Sequence, residues 1–325
     1  QIHDAGEPLH VFALQDEVEH LLMRENFFKE AKQFILTQAA LDSQIAIIVD
    51  EKIEGKRQFN VTMADGKTRT LKESHIKSRL KLACRNLENV DMSELLETVL
   101  LNFYEGIKEH EVDQALIMAA RSKIEIEPSY TMVAARLLCD ILYRESMEMS
   151  AGESGFEAAH RAYFKKYIKF GISVERINPA LLEFDLDMLA QAIDIKRDDL
   201  FSYMGIQTLY DRYFIHHMER RLETPQIFWM RVSMGLALGE GEDKNKRAIE
   251  FYNLLSQFHY TSATPTLFNS GTTHSQLSSC YLSTVMDDLS HIFKVISDDA
   301  QLSKWAGGIG NDWSNVRATG STIKG

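Results

Sequence analysis

The sequence predicts a predominantly helical α+β chain. Three observations carry that reading. Apolar residues recur at helical spacing through most of residues 73–258, and two alternating runs flank Asp65-Gly66 in the manner of a β-hairpin. From about residue 259 the texture turns to Thr, Ser, Pro and Gly with short β-prone runs. With 325 residues, 45% apolar and 26% charged, the chain has room for two or three compact units with a sizeable core and the composition of an ordinary soluble protein.

In chain order, residues 12–40 read as two helices, with Val18, Leu21 and Leu22 and then Phe28, Ala31, Phe34 and Ile35 at helical spacing. Residues 59–71 (FNVTMADGKTRTL) read as the hairpin, because Asp65-Gly66 supplies residues tolerant of positive φ between the runs. Helices are predicted over 73–86, 92–104, 109–121 and 129–146, and hairpin plus helices form a module of ordinary domain size. SMEMSAGESG (146–155) reads as a linker into an almost wholly helical region ending near 258. SATPTLFNSG (262–271) then opens a loop-rich segment suited to handling a ligand.

A formal net charge of -11 argues against a general nucleic-acid binder, which needs a concentrated basic face; free nucleotides need only a few local cations. The three cysteines, Cys84, Cys139 and Cys280, have no metal-ligand or CxxC spacing. With no signal peptide and no apolar run of membrane length, a reducing cytoplasm and no membrane are expected, so redox work by a cysteine would be catalytic. The chain opens without Met and stops in a loop-like TGSTIKG, so its ends read as cut.

Two Glu-x-x-His pairs, Glu17/His20 and Glu157/His160, have the spacing that lets a carboxylate and an imidazole share a metal, but nothing orders a further pair of glutamates and they fall in different modules. They read as solvated helix surface, as do His216 and His217, and no metal is expected in this chain. WAGGIGN (305–311) lacks the full dinucleotide and P-loop patterns; Gly307, Gly308 and Gly310 nonetheless allow main-chain amides a close approach, with a structural turn as the alternative. Cys280 alone would read as a buried small hydrophobe. Its neighbours Ser278 and Ser279, the hydroxyl of Thr264 and the nearby glycines instead offer a polar, roomy setting for a working thiol.

Taken together, ATPTLFNSGTTHSQLSSCYL (263–282), MDDLSHIF (286–293) and WAGGIGNDWSNVRATGSTIKG (305–325) resemble the first segment of the catalytic barrel of the class I ribonucleotide reductase large subunit. FYEGIKEHEVDQALIMAARSKIEIEPSYTMVAARL (103–137) is similar to the end of that family's ATP-cone and its entry helices. The resemblance implies a ten-stranded α/β barrel begun at 259–325, a helical domain over 147–258, a second ATP-cone over 57–146 and the last helices of an incomplete first cone over 1–45. It further implies that Cys280 is one of two thiols that reduce the ribose 2′ position and close into a disulfide. Thr264, Ser279 and Gly308 would hold substrate diphosphate or ribose, and Asp287 and Arg317 would belong to the effector site.

The activity so implied is reduction of ribonucleoside diphosphates, with ATP, dATP and deoxynucleoside triphosphates as effectors. The implied partners are a separate small subunit carrying the radical metal cofactor, a thioredoxin- or glutaredoxin-type reductant, and further copies in a homodimer or larger oligomer. The remaining catalytic cysteines and a glutamate would lie beyond Gly325, leaving this portion inactive alone. The 57–146 segment departs from the cone pattern, with Met63-Ala64 where a Lys-Arg pair is usual and Arg69 where an acid is common, so it is expected to have lost nucleotide binding. A nucleotide-sensing or oligomerisation module without catalysis is the alternative of another class. An anaerobic or cobalamin-dependent reductase fits the 264–325 pattern less well.

Overall fold

The computed structural model describes residues 57–63, 66–305 and 307–322. The helices expected in 12–40, with Glu17 and His20, lie outside them. The chain divides into two compact units, residues 1–78 and 79–325, so the division falls inside the 57–146 segment.

In the first unit, β1 (Gln58–Thr62) pairs antiparallel with β2 (Thr68–Lys72), in register from Gln58↔Lys72 to Thr62↔Thr68. The turn is closed by Met63 N donating to Lys67 O at 2.8 Å and Gly66 N to Met63 O at 2.9 Å. Gly66 takes φ +78°, the conformation for which glycine was expected there. Ala64 and Asp65 lie outside the described residues. Glu73 N donates to Arg57 O at 3.1 Å as the hairpin gives way to α1 (Glu73–Ala83), which crosses the unit boundary.

The second unit is mostly helical. It contains α2 (Met92–Leu101), α3 (Glu109–Arg121), α4 (Tyr130–Met147), α5 (Phe156–Ser173), α6 (Leu186–Ala192), α7 (Tyr203–Arg212), the short strands β3 (His216–His217) and β4 (Arg220–Arg221), α8 (Pro225–Leu236) and α9 (Lys244–Ser256). Their starts follow the capping chemistry of the sequence: Asp91, Asp185 and Ser202 accept from amides of the first turns of α2, α6 and α7, and Pro225 sits at the head of α8, where its missing N–H is not needed. The first helices begin and end within about three residues of their expected limits, as termini defined by fraying turns do. The stretch read as a linker is a tight connection within this unit. Glu148 and Gly155 take left-handed φ, and Ala151 N donates to Asp140 Oδ1 at 3.2 Å.

The core lies where α4 packs on α3 and α7, and where α8 packs along α9. Every residue from Pro225 to Met234 is buried, so α8 has no solvent face and its polar side chains need internal partners. Gln226 finds them in Asp198 and Tyr252, and Ser233 in the Trp229 carbonyl.

After α9 come α10 (Thr264–Asn269), β5 (Cys280–Thr284), α11 (Leu289–Lys304) and β6 (Gly308–Asp312). β5 and β6 pair in parallel, from Cys280↔Gly308 to Thr284↔Asp312, with α11 as the crossover between them. That βαβ unit is the one piece of parallel sheet among the described residues.

Candidate active site

Cys280 is the first residue of β5, and its thiol is exposed. Directly across the ladder is Gly308, whose amide donates to the Ser279 carbonyl at 2.9 Å. A Cβ on Gly308 would stand 3.4 Å from Cys280 Sγ and 3.3 Å from Ser279 O, so the missing side chain keeps the flank of the thiol open. The neighbouring glycines have steric reasons of their own. A Cβ on Gly307 would come within 2.2 Å of the Tyr281 ring, and one on Gly310 within 2.8 Å of Leu282 Cδ2. WAGGIGN thus runs into a strand rather than a turn, and none of these three glycines takes positive φ.

Thr264 belongs to a different element. It opens α10, and its Oγ1 lies 3.1 Å from the Tyr213 hydroxyl. α10 is tied to the approach to β5 by Thr266 Oγ1, which donates to Leu277 O at 3.2 Å, and by Asn269 Nδ2, which donates to Gln276 O at 2.7 Å. Tyr213 stacks on Phe268 with ring centres 4.5 Å apart, fixing the other flank of the helix. Asp287 and Arg317 meet as an ion pair, Nε to Oδ2 at 2.7 Å, beside the start of α11 where Asp288 caps the helix through His291 N. The structure therefore brings Cys280, Ser279 and Gly308 together and brings Asp287 to Arg317, while Thr264 is connected to the first group through α10. A cleft of about 920 Å³ lined by Arg85, Arg136, Tyr143, Arg161 and Asp198 among others includes none of these residues.

The Glu157/His160 reading needs correction. His160 is buried, not solvated. Its Nε2 lies 2.7 Å from Thr224 Oγ1, and the rings of Tyr143 and Phe156 pack around it. Burial, with a smaller contribution from Arg161, pushes its pKa down to about 3, so the ring is neutral. Glu157 instead lies 4.0 Å from Arg161. His216 and His217 sit on a two-residue strand pair with Arg220 and Arg221, not on a helix. Among the described residues no group of three or more His, Cys, Asp or Glu side chains is arranged to hold a metal ion, and no helix is long and apolar enough to cross a membrane.

Sequence reasoning missed the buried polar cluster behind α10. Arg231, Glu223 and Tyr167 are all sequestered, with Arg231 Nε donating to Glu223 Oε1 at 2.6 Å and Tyr167 OH to the same oxygen at 2.5 Å. The available signal was an arginine inside the apolar run IFWMRV.

The helices thus lead into a strand that begins with an exposed thiol and pairs in parallel with β6. Residues 199–275 match the family described as "Ribonucleotide reductase, all-alpha domain", and residues 278–325 the one described as "Ribonucleotide reductase, barrel domain". The chain belongs to the ribonucleotide reductase large-subunit family. It is 55% identical over 318 residues to the ribonucleoside-diphosphate reductase subunit alpha of Chlamydia muridarum, covering 96% of this chain and 30% of that protein. The Chlamydia pneumoniae subunit is 52% identical, over 98% of this chain and 31% of the relative. The Helicobacter pylori subunit is 39% identical over 270 residues. The chain spans about a third of the length of the curated relatives it matches.

Proposed function

We propose that the parent protein of this chain reduces ribonucleoside diphosphates to deoxyribonucleoside diphosphates and that Cys280 is one of its two reducing thiols. The observation that carries this reading is the exposed Cys280 at the head of β5, opposite a glycine and next to Ser279. Two thiols become one disulfide, and the two electrons and two protons they give up replace the ribose 2′ hydroxyl by hydrogen, with that hydroxyl leaving as water. Resetting the pair requires thiol–disulfide exchange with a thioredoxin- or glutaredoxin-type donor. Thr264, Ser279 and Gly308 hold the substrate through hydroxyl and main-chain donors, and Asp287 with Arg317 reads deoxynucleoside triphosphate or ATP effectors.

The same reading takes residues 57–146 as a second ATP-cone without nucleotide affinity, and residues 1–45 as the end of a first cone. A small subunit carrying the metal cofactor supplies the radical, the large subunit works as a homodimer or larger oligomer, and the site of action is the cytoplasm. Similarity to the curated relatives supports the reading of the parent as a ribonucleoside-diphosphate reductase alpha subunit.

The test is ribonucleotide reduction by the full-length parent with its small subunit and a dithiol reductant. Cys280→Ser is expected to lower turnover at least about a thousandfold while substrate binding persists. Unchanged turnover would return Cys280 to an ordinary structural residue and favour a nucleotide-sensing module without catalysis.

A further inference from the structure

Arg231 of α8 is fully buried. One side of its guanidinium is taken by Glu223, Nε to Oε1 at 2.6 Å and Nη2 to Oε2 at 3.3 Å. The other side meets the C-terminal end of α10: Nη1 donates to Ser270 O at 2.6 Å and Phe268 O at 3.4 Å, and Nη2 donates to Leu267 O at 3.3 Å. Glu223 is itself held by Tyr167 OH at 2.5 Å and by Ile215 N at 2.7 Å. Close packing completes the seat. A Cβ on Gly235 would lie 2.0 Å from Gly271 N, and one on Gly271, which has φ +75°, would lie 2.7 Å from Arg231 O.

α10 is six residues long, well below the roughly 12–15 at which an isolated helix holds itself together. Its last carbonyls need donors, and a cation at a helix C-terminus also suits the helix dipole. Burying an ion pair gains little net stability over an apolar replacement, whereas its directed bonds specify one position. Thr264 stands at the other end of α10, and Thr266 and Asn269 bond the carbonyls that lead into Ser279 and Cys280. Any shift of α10 would move both.

We propose that Arg231, oriented by Glu223, is a positioning residue that fixes α10 and with it the placement of Thr264 and the entry to Cys280. The link to substrate rests on the function proposed above; the anchoring of α10 does not. The experiment uses the full-length parent with its small subunit, comparing wild type with Arg231→Lys, which keeps the charge but loses the planar fork. Steady-state reduction of a ribonucleoside diphosphate is measured together with hydrogen exchange in peptides covering 264–280 and, as a control, 244–256. Exchange across 264–280 is expected to rise about tenfold with the control unchanged, and KM to rise about tenfold, more than kcat falls. Unchanged exchange in 264–280 would overturn the anchoring. Raised exchange with an unchanged KM would overturn the link to substrate. Failure of wild type to reduce any ribonucleotide would sink the functional reading, and the exchange data would still decide the anchoring. Should Arg231→Lys not fold, Tyr167→Phe, which removes a single bond to Glu223, is read the same way with a smaller effect in the same direction.

Discussion

His160 and Asp198 are both buried in the second unit and respond to burial in opposite senses. The imidazole is pushed down to about 3, from an ordinary value of 6.5. The Asp198 carboxyl is pushed up from 3.8 to about 7 by burial, even though Tyr143 and Gln226 donate hydrogen bonds to it. As pH falls below 6.5 the unfolded chain protonates its histidine while folded His160 does not, so this residue lowers stability progressively toward pH 3. Folded Asp198 keeps its proton while the unfolded carboxyl loses its own above 3.8, so this residue lowers stability as pH rises from there to about 7. Each slope is at most about 1.4 kcal/mol per pH unit, and over their shared window they oppose one another. His160→Gln is therefore expected to leave a chain whose unfolding midpoint, relative to wild type, drops as pH rises from about 4 to 7. Asp198→Asn is expected to leave one whose midpoint drops as pH falls below about 6.5. Thermal unfolding across that range tests both, and profiles parallel to wild type would refute the burial argument.

At the level of elements, close approach rather than turn geometry explains the glycine in α8. Gly235 faces the backbone of Gly271, which cannot move aside as a flexible side chain could, so Gly235→Ala is expected to destabilise the chain by about 1–3 kcal/mol. Gly239 has open space around it and no positive φ, so Gly239→Ala is expected to change stability by less than about 0.5 kcal/mol. Urea unfolding of the two variants side by side would separate them. The same contrast shows what was legible in the sequence. The hairpin and the helices of 73–147 announce themselves because apolar periodicity and capping residues act locally. The His160 position did not, because Glu-x-x-His fixes a helix face without saying whether that face meets water or Thr224. Arg231 is visible as a charge in an apolar run, but its carbonyl partners lie 36–39 residues away and belong to no periodic pattern. The grouping of Cys280 with Gly308 came through family resemblance. Physically it depends on a parallel register that only a crossover helix sets.

The whole molecule exposes apolar surface around that crossover. Leu282 is 85% exposed, and Leu289 and Phe293 on α11 are 69% and 62% exposed. Parallel strands are ordinarily covered on both faces, and a patch of this kind marks an interface or an aggregation liability. The 325-residue chain on its own is therefore expected to bind a hydrophobic dye and to sediment as larger species with increasing concentration. Leu282→Glu with Phe293→Glu should weaken both effects, and a monodisperse, dye-silent wild type would argue against them. The distribution of cysteines across the molecule has a practical consequence. Cys139 is buried with its thiol pushed well up by burial, and Cys84 is half-buried and raised to about 11, chiefly by burial. Cys280 alone is open to solvent. A maleimide added briefly to the folded chain is expected to modify Cys280 at least about tenfold faster than the other two, as peptide mass mapping would show. A fluorophore or spin label could then be attached at the head of β5 without removing a native cysteine, giving a spectroscopic view of that strand's surroundings.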